Sequence, residues 1–166
     1  EKLKNEKQNL SFMTQAAMIA AIYVVLTYIF APFSFGEVQV RISEALTILP
    51  IFTPAAIPGL FAGCLIGNIL GGAILPDIVF GSIATLIGAF FTWKLREQKP
   101  VVATFPPIIS NIIIVPFVLR YGYGVTLPIP FMMLTVGIGE VISCTVLGLV
   151  VYGALKKYKS TLFRTA

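Results

Sequence analysis

Long apolar segments, broken by short groups of proline, glycine and charged residues, make up most of this chain. Apolar residues account for 57% of the 166 residues and charged residues for 11%, and the mean hydropathy is +0.93. A water-soluble domain of this size cannot cover so much apolar surface with so few charges. The eleven prolines and fourteen glycines would weaken soluble helices, but neighbouring helices compensate for them inside a membrane. The sequence therefore predicts an all-α integral membrane protein.

Six apolar segments are predicted to cross the membrane as helices that form one transmembrane domain over residues 1–166. Two of them, 42–53 and 56–70, are shorter than the about 20 residues that a straight crossing needs. Prolines interrupt this pair, so it can also consist of short or broken helices sheltered by their neighbours. The six predicted spans are approximately 12–31, 42–53, 56–70, 77–93, 101–119 and 129–155.

The basic residues predict the orientation of these spans. Ten of the twelve lysine and arginine residues share one side of the membrane if the chain crosses it six times. The positive-inside rule places that side, and with it both termini, in the cytoplasm. A nucleic-acid interface would need basic residues on one exposed face among stacking aromatic rings, so no nucleic-acid partner is predicted. The ten residues are Lys2, Lys4, Lys7, Lys94, Arg96, Lys99, Lys156, Lys157, Lys159 and Arg164, with Arg41 and Arg120 on the other side.

Glu140 is the most informative polar residue, because it lies near the expected midplane of the last apolar segment. A charged carboxylate at that depth costs at least about 2.5–3.5 kcal/mol, so it must face a cavity or a partner. It can contact a solute, form a structural ion pair with Arg41 or Arg120, or be protonated. Asn111 also lies in mid-membrane, where its amide can contact a ligand or form an interhelical hydrogen bond.

The remaining polar residues of the apolar part fall on the predicted outer half. Arg41 and Glu44 are three residues apart, so they can pair with each other or act at a solute site. Asn68 and Asp77 bracket an outer turn, and Asp77 also suits the first turn of a helix, where an acid complements the helix dipole. Acidic residues outnumber basic ones in this region, which favours a neutral or cationic solute. They are Glu37, Glu44, Asp77 and Glu140, against Arg41 and Arg120.

The residue types disfavour enzymatic and metal chemistry. The chain has no histidine, and it has no Gly-x-x-x-x-Gly-Lys-Ser/Thr motif that would bind nucleotide phosphates. No catalytic residue and no metal site are predicted. Cys64 and Cys144 lie inside apolar segments, where they are predicted to be packing residues rather than a disulfide.

Small residues repeat at intervals of four near the start of the first span, as Ala16/Ala20 and Ala17/Ala21. This spacing lets two helices approach closely in lipid. The two pairs can therefore pack against another helix of the same chain or dock a partner protein.

Taken together, these residues resemble an S-component of an energy-coupling factor (ECF) transporter, and the resemblance covers nearly the whole chain. The run Glu37–Leu46, with the later Gly67-Asn68 and Pro76-Asp77 segments, is more specifically similar to the QueT family. The resemblance implies a six-helix S-component-like bundle in the cell membrane. Its expected substrate is a queuosine precursor, a 7-deazaguanine such as the aminomethyl form, or queuine.

The resemblance also implies partners and roles for particular residues. The expected partner is the ECF module, which consists of a transmembrane coupling protein and two ATPases. ATP is then used by the partners, and no cofactor is expected in this chain. Ala16/Ala20 or Ala17/Ala21 correspond to the docking motif of the family. The expected substrate-binding residues are Glu140, Glu44, Asn111, Asn68, Arg41 and Asp77.

Three other classes of protein are compatible with the sequence. A stand-alone ion-coupled secondary transporter for a small neutral or cationic solute would use Glu140 or Asp77 as the coupling site. Such carriers often contain internal repeats, and no convincing repeat is present here. An intramembrane enzyme is disfavoured by the lack of histidine and of a nucleophile–base spacing. A purely structural membrane subunit would need only protein partners for its acids.

Overall fold

The computed structural model describes residues 1–30 and 42–158, and every regular element in those two ranges is helical. The all-α prediction is therefore confirmed for the described residues. The elements are α1 (Lys2–Ile29), a 3₁₀ helix (Ile42–Ile51), α2 (Ala56–Leu70), α3 (Leu75–Lys94), α4 (Pro100–Ala103), α5 (Phe105–Tyr121), α6 (Ile129–Glu140), a π-helical segment (Val141–Leu147), α7 (Gly148–Leu155) and a 3₁₀ turn (Lys156–Tyr158).

Four helical stretches of the described chain are long and apolar enough to cross a membrane. They are α1, α3, the continuous stretch Pro100–Tyr121 and the continuous stretch Ile129–Tyr158. The 3₁₀ helix is about 20 Å long at its usual rise, and α2 is about 22 Å long. Both are shorter than the hydrocarbon core of about 30 Å. The crossing of the membrane by six segments therefore stays a prediction, as does the cytoplasmic position of the termini.

Proline marks the start of most helices. It occupies one of the first two positions of α3, α4, α5 and α6, where its missing N–H costs no intrahelical hydrogen bond. Pro76 and Pro100 lie between predicted spans, whereas Pro106 and Pro130 lie inside the predicted spans 101–119 and 129–155. The predicted bounds 56–70 are those of α2, and the later spans lie within three residues of the observed helices.

The first helix is longer than predicted, because α1 begins at Lys2 rather than at Phe12. Residues 2–11 are polar, so hydropathy does not include them, but they contain no proline or glycine and several good helix formers. The helix therefore extends beyond the apolar segment, and the lysines of this segment are exposed. Its observed end is Ile29, and position 31 of the predicted span lies outside the described residues.

Glycines on α2 allow close packing against α1. A Cβ atom on Gly59 would lie 2.8 Å from the carbonyl oxygen of Ala16, and one on Gly63 would lie 2.8 Å from Cβ of Tyr23. Gly67 faces Thr27 one turn further on. The three glycines are four residues apart, the spacing that brings two helices together in lipid. This packing fixes α1 against α2 and holds Tyr23 in the interior.

Replacing Gly63 with alanine is expected to lower the melting temperature of the purified protein, because the added Cβ collides with Tyr23. Overpacking of this kind typically costs about 1–3 kcal/mol. Gly153→Ala is the matched control, since nothing lies within 4 Å of a Cβ at that position in α7. Thermal unfolding in detergent measures both variants. Equal melting temperatures for the two would show that the α1–α2 contact is looser than described.

The 3₁₀ helix lies at the centre of the described bundle. Its residues Ser43–Pro50 are all buried. It packs against α1, α3, the π-helical segment and α7. Large apolar side chains of α1, α3 and α5 point outward, as expected for surfaces that face lipid. The outer helices therefore shield the short central helix and any polar group that it carries.

Candidate functional site

The centre of the bundle holds two carboxylates from distant parts of the sequence. Glu44 lies in the first turn of the 3₁₀ helix, and Glu140 is the last residue of α6. Both are buried, with exposed fractions of 0% and 1%. One carboxylate oxygen of each, together with Sγ of Cys144, lie within 4.8 Å of one another. We call Glu44, Glu140 and Cys144 the central acidic cluster.

Tyr23 positions Glu44. Its hydroxyl donates a hydrogen bond of 2.8 Å to Oε1 of Glu44, and its ring is 1% exposed. One turn further along α1, the Thr27 hydroxyl donates to Oγ of Ser43 at 2.9 Å. Two polar side chains of α1 therefore contact consecutive residues at the start of the 3₁₀ helix. Because a hydrogen bond to a carboxylate is stronger than one between neutral groups, Tyr23 is expected to hold the orientation of Glu44.

Asn111 and Cys144 contact Glu140. The amide Nδ2 of Asn111 lies 3.4 Å from Oε2 of Glu140 and also donates to the carbonyl oxygen of Pro107 at 2.8 Å. The thiol of Cys144 lies 3.2 Å from the same Oε2. Asn111 therefore links α5 to the central acidic cluster. The π-helical segment that follows Glu140 places Cys144 beside it, and segments of this kind are frequent at functional sites.

Asn68 and Asp77 belong to a second polar group. Nδ2 of Asn68 lies 3.4 Å from the carbonyl oxygen of Asp77, and the Tyr123 hydroxyl donates to Oδ2 of Asp77 at 2.7 Å. Asp77 is also an acid in the first turn of α3, as predicted from the sequence. This group joins α2, α3 and the loop after α5, which uses a positive φ of 71° at Gly124.

The predicted site residues thus divide by position. Glu44, Glu140 and Asn111 meet in the central acidic cluster or beside it, whereas Asn68 and Asp77 lie together next to Tyr123. Arg41 and Glu37 lie outside the described residues, so the predicted pairing of Arg41 with Glu44 or Glu140 stays a prediction. Arg120 is exposed in the last turn of α5 and is not among the described contacts of Glu140. The role of all these predicted site residues in binding a solute stays a prediction as well.

The two alanine pairs of α1 have different surroundings. Ala16 and Ala20 are partly buried, and their carbonyl oxygens lie against Gly59 and Gly63 of α2. Ala17 and Ala21 are exposed. The first pair therefore packs inside the bundle, and the second pair is accessible on its surface.

The polar contacts of Tyr23, Tyr123 and Cys144 were not predicted from the sequence. A usable signal existed for two of them: Tyr23 is four residues before Thr27, and Cys144 is four residues after Glu140. Side chains four apart share one face of a helix, so each pair marks a polar stripe on an apolar helix. Tyr123 lies in a loop, and its contact with Asp77 spans 46 residues of sequence, so no local pattern predicts it.

The central acidic cluster can accept positive charge or N–H donors. Two carboxylates at this separation repel each other when both are ionised, which favours a bound cation, a shared proton or a ligand rich in donors. Two oxygens and a thiolate could also hold a metal ion, but three donors are one fewer than a structural zinc site uses. The absence of a metal site stays a prediction.

A cavity of about 490 Å³ between α3 and α5 lies away from the central acidic cluster. No acidic side chain lines it among the described residues, and it faces the outer surface of both helices. We assign it to the lipid-facing surface rather than to the solute site. Its lining includes Pro76, Phe80, Ile113, Phe117, Val118 and Tyr121.

Apolar helices around a buried polar centre define a multi-pass membrane protein. The family model described as QueT transporter matches residues 13–157, so the chain belongs to the QueT transporter family. The chain is 34% identical over 73 residues to the queuosine precursor transporter QueT of Lactococcus lactis subsp. cremoris strain MG1363. That match spans 43% of this chain and 43% of the relative. No solved structure matches.

The family membership supports a transport function and is consistent with a chain that is not an enzyme. The expected membership in the QueT family is confirmed.

Proposed function

We propose that this chain binds a 7-deazaguanine precursor of queuosine at the central acidic cluster and carries it inward as the S-component of an ECF importer. The observation that carries the proposal is the meeting of Glu44 and Glu140, two buried carboxylates, in a chain of the QueT transporter family. Intramembrane carboxylates are costly and are retained mainly where they serve a solute, an ion or a partner.

The chemistry of the ligand fits such a cluster. The guanine-like edge of a 7-deazaguanine carries adjacent N–H donors, and a single carboxylate can accept two of them. An aminomethyl group adds a positive charge that a second carboxylate stabilises. The Asn111 amide can pair with a ring carbonyl or N–H group beside Glu140. We assign Glu44 and Glu140 as the principal acceptors and Asn111 as a supporting contact.

Asn68, Asp77 and Arg41 are assigned supporting roles in the same proposal. Asn68 and Asp77 form the second polar group, with Tyr123 reaching Asp77 from the loop after α5. A solute that extends from the central acidic cluster towards this group would meet further hydrogen-bonding side chains. Arg41 would orient Glu44 or pair with the ring carbonyl.

The energy for import would come from an ECF module, in which two ATPases act through a transmembrane coupling protein. The exposed pair Ala17/Ala21 supports a docking surface on α1, because small residues let a partner helix approach closely. The pair Ala16/Ala20 contacts α2 instead, so we assign docking to the exposed pair.

Binding to the purified protein tests the substrate. Thermal-shift and calorimetric titrations would compare aminomethyl-deazaguanine and queuine with guanine and with thiamine as an unrelated vitamin. We expect the deazaguanines to raise the melting temperature and thiamine to leave it unchanged. A protein stabilised by none of the deazaguanines would refute the proposed substrate class.

A stand-alone ion-coupled carrier is the second candidate, because a close carboxylate pair can also bind a proton or a small cation. Uptake into vesicles separates the two mechanisms. An ECF-type importer requires the partner module and ATP, whereas a secondary transporter works alone with an ion gradient. In the second case Glu140 or Asp77 would be the coupling site.

Tyr23→Phe is expected to weaken deazaguanine binding by about tenfold, because it removes the hydrogen bond that orients Glu44. Tyr28→Phe is the matched control, since Tyr28 lies on the same helix and is 67% exposed. Isothermal titration measures both affinities. An unchanged affinity for Tyr23→Phe would mean that other contacts suffice to orient Glu44.

A further inference from the structure

In the part of the chain that the structure describes, almost all buried serine and threonine hydroxyls have a hydrogen-bond partner. A hydroxyl inside a membrane helix can bond to a carbonyl of its own helix or to a neighbouring helix. Nine of the eleven buried serines and threonines of the described chain do so. The nine are Thr27, Ser43, Thr47, Thr53, Ser82, Thr92, Thr104, Ser110 and Thr135.

Ser143 and Thr85 are the two exceptions. Within the described residues, the hydroxyl oxygen of each is buried and has no hydrogen-bond partner. Ser143 is 0% exposed and Thr85 is 2% exposed. An unsatisfied buried hydroxyl destabilises the folded protein, so such a group calls for a specific explanation.

Both residues lie on elements that surround the central acidic cluster. Ser143 lies between Glu140 and Cys144 in sequence, in the π-helical segment that packs against the 3₁₀ helix carrying Glu44. Thr85 lies on the buried face of α3, one turn before Ala89. Ala89 packs in the same core as Leu46 and Leu49 of the 3₁₀ helix that carries Glu44.

We infer that the hydroxyls of Ser143 and Thr85 hydrogen-bond to the transported solute. The inference rests on the proposed function and adds two recognition groups to it. A hydroxyl both donates and accepts, so it complements a ring that presents carbonyl and N–H groups side by side. Ionised carboxylates only accept hydrogen bonds. A neighbouring donor, such as one of these hydroxyls, is needed to bind the acceptor atoms of the ligand. The unsatisfied state then belongs to the solute-free protein, and binding removes it.

Paired substitutions separate this role from a structural one. Ser143→Ala and Thr85→Val remove only the unsatisfied hydroxyls. Ser110→Ala and Thr92→Val are the matched controls, because these hydroxyls already bond to the carbonyl oxygens of Ala84 and Ala103 on neighbouring helices. Each variant is titrated with aminomethyl-deazaguanine and with queuine, and its melting temperature is measured without ligand.

The test variants and the control variants are expected to differ in both melting temperature and affinity. Ser143→Ala and Thr85→Val keep or raise the melting temperature of the solute-free protein, and they bind about three- to tenfold more weakly. The two controls lower the melting temperature and leave the affinity unchanged.

Each variant decides the role of its own residue. An unchanged affinity in a folded Ser143→Ala or Thr85→Val protein overturns the inference for that hydroxyl and leaves the proposed function intact. If the wild-type protein binds neither deazaguanine, both the proposed function and this inference fail.

Discussion

Glu140→Gln is expected to weaken the binding of aminomethyl-deazaguanine by about 100-fold, and Glu44→Gln by a similar factor. Truncating one partner of a buried hydrogen-bonded charge pair typically costs about 2–5 kcal/mol, and 1.4 kcal/mol corresponds to a factor of ten. Glutamine keeps the size of the side chain but replaces one acceptor oxygen with a donor. The amide N–H group of glutamine would face the N–H donors of the ligand. The loss of binding free energy is therefore larger than the loss from removing one neutral hydrogen bond.

Isothermal titration of the purified variants measures this effect. Glu97→Gln is the matched control, because Glu97 carries the same charge but is exposed after α3. The melting temperature without ligand must be recorded as well, since relief of repulsion between two buried acids can stabilise the folded protein. Wild-type affinity in both Glu44→Gln and Glu140→Gln would place the solute site elsewhere, with the second polar group around Asp77 as the next candidate.

Ala21→Trp is expected to abolish uptake driven by the ECF module while leaving deazaguanine binding intact. Ala21 is exposed on α1, so the large ring would keep a partner helix at a distance without entering the bundle. Co-purification with the module and ATP-dependent uptake measure docking, and calorimetry on the isolated chain measures binding.

Ala20→Trp is the informative comparison for that variant, because it lies one residue away on the face that contacts α2. Ala20 is half-buried, and its carbonyl oxygen would lie 3.1 Å from a Cβ atom on Gly63, so α1 and α2 lie close together at this position. Ala20→Trp should therefore unfold or destabilise the chain. If Ala21→Trp supports normal uptake, the exposed pair is not the docking surface.

Much of the helical architecture could be predicted from the sequence, because hydropathy and proline act locally. The bounds of α2 and, within two residues, the start of α3 follow from such local signals, whereas the break before α5 was not predicted. The start of α1 could not be predicted in this way. Residues 2–11 are helical by propensity but polar, and hydropathy measures only the part that enters lipid.

The composition of the site was harder to predict than the presence of its acids. Glu44 and Glu140 are conspicuous because a carboxylate in an apolar segment is costly. Their proximity depends on how the 3₁₀ helix packs against the π-helical segment, and the sequence does not encode that contact locally. Tyr23 was missed for the same reason, since a tyrosine in an apolar helix resembles ordinary packing until its partner is known.

The π-helical segment after Glu140 has a consequence for aligning this chain with relatives. A π turn holds more residues than an α turn, so Val141–Leu147 contains an extra residue relative to a regular helix. A homologue with a continuous α-helix would match this chain only with a one-residue gap inside that segment. Without the gap, every position after Leu147 would be assigned to a face rotated by about 100°, the turn per residue of an α-helix.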